Sequence, residues 1–220
     1  MKNSKTLQNP GTRRSLSIAC ATALVVAFAV SLPQSAHADY VTPPPVPDGL
    51  QVEAGNKAFL VGHAEGTQNY ICLPSGTGFA WTLFTPQATP FNDDDDQVIT
   101  HYFSPNPIEG GAVRATWQHS RDTSTVWGEV KPGDSSSDPD FVAPGAIAWL
   151  LVTVVGAQDG PTGGHKLTET TFIQRLNTSG GVAPTGCESL TDVGKQAFVP
   201  YTADYFFYKK VIRKGRHYDN

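Results

Sequence analysis

Val113-Arg114-Ala115-Thr116-Trp117-Gln118-His119, then Ser120-Arg121-Asp122-Thr123, then Ser124-Thr125-Val126-Trp127-Gly128-Glu129: this stretch decides the fold. Side chains of an extended chain alternate between two faces, so Val113, Ala115, Trp117 and His119 share one face. The polar tetrapeptide turns the chain, and Thr125, Trp127 and Glu129 continue on the way back. That is the signature of an antiparallel hairpin. Working outward, the signature recurs. Phe59, Val61 and His63 alternate with Ala58, Leu60 and Gly62. Glu65-Gly66 reads as a turn before a second strand, Thr67 to Leu73. Pro74 to Gly78 reads as another turn, before Phe79, Trp81 and Leu83 on one face. Val98 to Phe103, Thr168 to Leu176 and Ala203 to Tyr208 are further strands.

Ile147 to Val155, Ile-Ala-Trp-Leu-Leu-Val-Thr-Val-Val, is apolar on both faces and rich in β-branched residues, with Gly145 and Gly156 flanking it. It reads as an interior strand with Trp149 and Leu150 on opposite faces and both nearly fully buried. Beyond the first 38 residues no window sustains a 3.6-residue period over three turns. The fold class is all-β: a single-domain antiparallel β-sandwich or barrel of about nine or ten strands. The Lys131–Pro144 stretch, rich in Gly, Ser, Asp and Pro, reads as a mobile loop.

Residues 1–38 read as a signal peptide. Lys2, Lys5, Arg13 and Arg14 precede the apolar run Leu16 to Leu32, which ends in Ala36-His37-Ala38. Arg13-Arg14 also fits a twin-arginine export signal. Cleavage there leaves no membrane span and places the protein in a secreted or periplasmic compartment. Residues 39–49 are a Pro-rich extended segment, either a spacer or a strap across the surface. Residues 50–208 form the all-β domain, and 209–220 a basic tail carrying Lys209, Lys210, Arg213, Lys214 and Arg216. Residues 39–220 hold 12 Lys and Arg against 20 Asp and Glu, a net charge of −8. An acidic body repels polyanions, so nucleic acid is excluded as a partner. A small-molecule ligand or an envelope surface is left.

Cys20 falls in the leader. Cys72 and Cys187 form an even pair in an exported chain, and a disulfide between them is the expected state.

No Gly-x-Ser-x-Gly elbow, His-Glu-x-x-His, P-loop or dinucleotide fingerprint occurs, and no cofactor or metal is implied. The polar groups nearest to a constellation are His101, Gln118, His119, Arg121 and Asp122. Of these, His101, His119 and Asp122 are the candidate catalytic residues, because an acid–base site needs such groups converging on one pocket. The bland alternative has Asp122 shaping the turn and Arg121 solvated. Arg175, beside Gln174, would pair with a carboxylate if buried. Asp93 to Asp96 read as a solvated turn rather than a Ca²⁺ loop, since consecutive carboxylates cannot all face one ion. Trp81, Trp117, Trp127 and Trp149 read as core rather than as a sugar-stacking platform. Asn177-Thr178-Ser179 is a glycosylation sequon for a eukaryotic host, but the leader reads as bacterial.

A series of short motifs resembles a known family. In order they are Tyr70-x-Cys72, Phe79-Ala80-Trp81-Thr82, Pro86-x-Ala88, His101-Tyr102, Thr116-Trp117 and Asp122-x-Ser124. They continue with Val126-x-Gly128-Glu129, Ile147-x-Trp149-Leu150-Leu151, Gln174-Arg175-Leu176, Gly180-Gly181-x-Ala183-Pro184, Gly186-Cys187, Val199-Pro200-Tyr201 and Tyr205-x-Phe207-Tyr208. Together they resemble the secreted domain-of-unknown-function family 3455 over about Leu50 to Tyr208. The resemblance implies an exported all-β domain with two cysteines and transfers no activity. The family pattern carries Glu where this chain has Gln118, which weakens a carboxylate role at that spot. The malate dehydrogenase label borne by some members does not fit a chain without α/β alternation.

The sequence therefore favours an exported, non-catalytic binding or envelope-associated protein. The alternatives are an enzyme or metal-binding protein with a site assembled across strands, and a small-ligand carrier with a lumen of at least about 300 Å³.

Overall fold

The computed structural model describes residues 40–211. The stretch read as a signal peptide, with its twin-arginine pattern, and most of the basic tail lie outside the described residues. Among the described residues nine strands are formed: β1 (Asn56–Ser75), β2 (Gly78–Phe91), β3 (Ile99–Asn106), β4 (Ala112–His119), β5 (Thr125–Glu129), β6 (Ser135–Ser136), β7 (Trp149–Gln158), β8 (Thr170–Gly180) and β9 (Gln196–Lys210). All pairings are antiparallel, in the order β5-β4-β3-β2-β1-β9-β8-β7-β6. An additional β5–β7 pairing, Trp127 opposite Gly156 among others, closes the sheet. The fold is thus an eight-stranded barrel with the short β6 added beside β7, which resolves sandwich against barrel. Closure leaves the barrel wall no free edge strand to pair with another chain.

The β4–β5 hairpin forms as its sequence dictates, with Trp117 opposite Val126. The region from Asn56 to Ser75 does not. Glu65-Gly66 is no turn; it lies inside one continuous 20-residue strand. Gly66 is there for a different reason. A Cβ on it would sit 2.2 Å from the Gln87 carbonyl oxygen and 2.5 Å from Ala88 Cα, so only glycine lets β2 approach this closely. The hairpin's true turn is at Gly76-Thr77, where Gly76 takes a positive φ of 58°.

Two apolar layers form on the two faces of the wall. Inside pack Ile99, Trp117, Val126, Val152, Leu167, Ile173, Tyr205 and Phe207. Outside, Trp149, Leu151, Leu176, Phe206 and Tyr208 pack with Leu50, Val142 and the half-buried Val41, Val46 and Phe141. The Pro-rich segment is therefore a strap. Leu50 is fully buried, and the Val41 amide donates to the Ala58 carbonyl at 3.1 Å. Gln174, itself buried on the outer face, donates to the Leu50 carbonyl at 2.6 Å and accepts from the Tyr208 hydroxyl. The 131–144 stretch, expected to be mobile, is docked by the same layer. Val142 is buried, Phe141 meets Trp149 edge to face at 5.9 Å, and Ser135 and Ser136 pair with β7. β9 runs to Lys210 and so takes in the first two residues of the basic segment. Cys72 and Cys187 are joined by a disulfide.

The two ends of the barrel differ. The β4–β5 turn, the chain between β7 and β8, and the end of β9 meet at one end. There Leu167, Phe207 and Ile99 are fully buried. The other end gathers Val130, Ala146 to Ala148 and Val182, with Val130 and Val182 exposed.

Candidate ligand-binding lumen

A cavity of about 540 Å³ opens at that second end. Its position explains one departure from expectation. Trp149 is 5 % exposed, but Leu150, its neighbour on the opposite face, is only half-buried. Leu150 turns inward and lines the cavity instead of meeting a packed layer.

The aromatic wall comes from β3, β4 and β9. His101 stacks on Trp117 with ring centroids 4.4 Å apart and planes 13° apart, and Tyr205 tilts against both. His101 Nδ1 lies 2.8 Å from the Thr116 carbonyl oxygen. A carbonyl only accepts, so Nδ1 carries the proton and Nε2 keeps its lone pair. Burial lowers the His101 pKa to about 3, with the Arg175 charge adding to the shift and the Thr116 bond opposing it. This histidine is neutral. The Tyr201 and Tyr205 hydroxyls lie 3.1 Å apart, and burial raises the pKa of both.

Arg175 enters the cavity from β8, opposite Tyr205 in register. Its Nε and Nη2 donate to the Ala148 carbonyl at 3.2 and 2.8 Å. Arg175 is half-buried rather than buried, and among the described residues no carboxylate pairs with it. Its charge favours the ionised forms of Tyr70, Tyr201 and Tyr205, but their desolvation outweighs it. Two further donors in the lining, Gln68 Nε2 and Trp117 Nε1, are buried without a hydrogen-bond partner.

The other candidate catalytic residues sit elsewhere. His119 and Asp122 lie 3.1 Å apart at the closed end. The Asp122 amide donates to His119 Nδ1 at 3.2 Å. The Asp122 carboxylate accepts from the Ser124 amide and hydroxyl and from the Lys166 amide, at 3.0, 2.7 and 2.7 Å. Burial pushes its pKa up, but these bonds prevail and hold it at about 2. Burial lowers the His119 pKa against the pull of Asp122. Gly160 and Gly164 press so closely on Asp122 that a Cβ on either would meet its carbonyl oxygen at about 2 Å. The next residue after Lys166 is Leu167, which plugs the barrel. His101 lines the lumen and Asp122 lines a separate surface cleft with Lys166, so neither cavity holds all three candidates.

The model of the family described as "Protein of unknown function (DUF3455)" matches residues 53–209. The chain belongs to this family. No curated protein and no solved structure matches the chain. The DUF3455 region contains every residue that lines the lumen, the plug and its Asp122 anchor. The strap residues Val41, Val46 and Leu50 precede it.

The sequence missed a second cluster in the DUF3455 region. His63 Nδ1 lies 2.7 Å from Asp204 Oδ1, and Nε2 lies 3.0 Å from Asp93 Oδ1. Asn177 Nδ2 donates to the other Asp204 oxygen at 2.7 Å. Its hydrogen bond to Asp204, then burial in opposition, then Asp93 set a net upward shift of the His63 pKa. Asp93 comes from the acidic turn, where the Asn92 side chain accepts from the Asp94 and Asp96 amides. Among the described residues no group of three His, Cys, Asp or Glu is placed to hold a metal ion. Among the described residues Trp117, Trp127 and Trp149 share no platform. Trp117 lines the lumen, Trp149 lies under the outer layer, and Trp127 donates to Ser104 at 2.9 Å.

Proposed function

We propose that the protein is an exported, non-catalytic carrier that holds one small organic molecule in the lumen of its barrel. One observation carries this reading: an inward-facing cavity of about 540 Å³ within the 300–1,000 Å³ range of ligand sites. Its lining combines apolar side chains with a few polar groups, the composition that orients a small ligand. The leader pattern in residues 1–38 and the Cys72–Cys187 disulfide support export. Among the described residues no helix is long and apolar enough to cross a membrane. An acid–base site built on His101, His119 and Asp122 has less support, because the recorded donors to Asp122 come from its own turn and the plug loop.

The neutral fluorophore N-phenyl-1-naphthylamine tests the reading. The purified protein should bind it saturably at one molecule per chain. Ala115→Trp places a large side chain in the lumen lining and should abolish binding while cooperative unfolding persists. Absence of saturable binding to the wild-type protein, or undiminished binding to the variant, refutes a lumen site.

A further inference from the structure

A guanidinium in a largely apolar lumen is costly unless its charge is matched. Arg175 has five N–H donors, and the partners it has are neutral: the Ala148 carbonyl, which accepts two bonds, and the Tyr205 hydroxyl. No carboxylate among the described residues pairs with it. Gln68 Nε2 from β1 and Trp117 Nε1 from β4 line the same cavity as buried donors without partners, on residues 2 % and 1 % exposed. Three donor groups in one lining, one of them cationic, define a ligand that accepts hydrogen bonds and carries negative charge.

The rest of the cavity fixes the rest of the ligand. Leu150, Val152, Ala115 and Phe103 line it, and Val130 and Val182 stand exposed at its mouth. An inorganic anion would gain nothing from these. We propose that the lumen binds an amphipathic organic acid, with its carboxylate on the Arg175 guanidinium and its apolar body extending toward Val130 and Val182. A planar carboxylate matches the guanidinium fork with two parallel hydrogen bonds, which a hydroxyl cannot do. This proposal rests on the lumen reading above.

Two matched probe pairs test it on the purified protein. Decanoate and 1-decanol share a chain and differ in the head group. 8-Anilinonaphthalene-1-sulfonate and N-phenyl-1-naphthylamine share an aromatic body and differ in the anionic group. Decanoate should displace N-phenyl-1-naphthylamine at a concentration at least tenfold below that of decanol, and the sulfonate should bind at least tenfold tighter than its neutral counterpart. In Arg175→Met both ratios should collapse to about one, with binding of the neutral fluorophore kept. If that variant does not fold, the wild-type ratios alone decide. Equal affinities within each pair overturn the acid proposal and leave the lumen site standing. Absence of saturable N-phenyl-1-naphthylamine binding overturns the lumen reading itself. Anion preference undiminished in a folded Arg175→Met places the anion elsewhere and also overturns the proposal.

Discussion

The two ends of the barrel are built from the same strands and do opposite things. At the closed end the inward residues Ile99, Leu167 and Phe207 are fully buried against one another. Asp122 holds the plug there through the Lys166 amide, and the Ser124 hydroxyl accepts from the amide of Leu167 itself at 3.1 Å. At the open end the inward residues are Leu150, Arg175, Gln68 and Trp117, and they surround a cavity. Apolar density alone does not separate the two ends. What separates them is whether a loop returns to fill the space. The 159–169 connection inserts Leu167 at one end, whereas at the other the Ala146–Ala148 and Val182–Ala183 segments line the rim. The first end is packed core, and the second is the proposed ligand site.

That division can be broken most sharply at the plug. Leu167→Asp puts an uncompensated charge in the closed end at a cost of several kcal/mol, and it should abolish cooperative folding by circular dichroism. Soluble, cooperatively melting protein from this variant would mean that the plug is not part of the core. Next in size is the disulfide, which ties the segment after the Val182–Ala183 rim to β1 across a separation of 115 residues. Replacing Cys72 and Cys187 together with serine should lower stability by about 2–5 kcal/mol in urea unfolding. It should also weaken fluorophore binding more than any closed-end variant of equal stability does.

Asp122→Ala comes third, at about 2 kcal/mol at neutral pH, and its pH dependence identifies the cause. The folded-state pKa is held at about 2, below the ordinary value of 3.8. A carboxylate depressed in this way contributes its stability above the unfolded pKa and loses it as pH falls through the folded one. The gap between wild type and variant should therefore shrink between about pH 4 and pH 2. A gap that stays constant would show that lost packing, not the charge, is responsible. The smallest effect is expected at the open end. Leu150→Ala faces the cavity and should cost less than about 1.5 kcal/mol, below the 2–5 kcal/mol typical of a packed leucine. A loss as large as that of Leu151→Ala, on the packed outer face of the same strand, would erase the distinction between the two ends.

The sequence revealed the local part of this design. Alternation placed Val113, Ala115, Trp117 and His119 on one face, and the hairpin follows. Barrel closure was not legible, because it depends on Trp127 meeting Gly156 across the sequence, a pairing that no local pattern encodes. Gly66 was misread because glycine marks close backbone approach as well as turns. The docked 131–144 loop was misread because its anchors, the apolar pair Phe141 and Val142 and the pairing of Ser135 and Ser136 with β7, lie within a run rich in Gly, Ser, Asp and Pro. At the site, His101 and Arg175 were both legible as residues of interest. Their companions were not, although Tyr201, Ala203, Tyr205 and Phe207 show the period-two spacing that would place both tyrosines on the inner face. His63 escaped notice because its partners lie 30 and 141 residues away.

The central claim is that the open end of the barrel is a ligand site. A crystal structure of the protein grown with N-phenyl-1-naphthylamine tests it most directly. One fluorophore should lie inside the barrel, in contact with Leu150, Trp117 and Tyr205. Density for the fluorophore only on the outer surface, or beside His63 and Asp204, would contradict it.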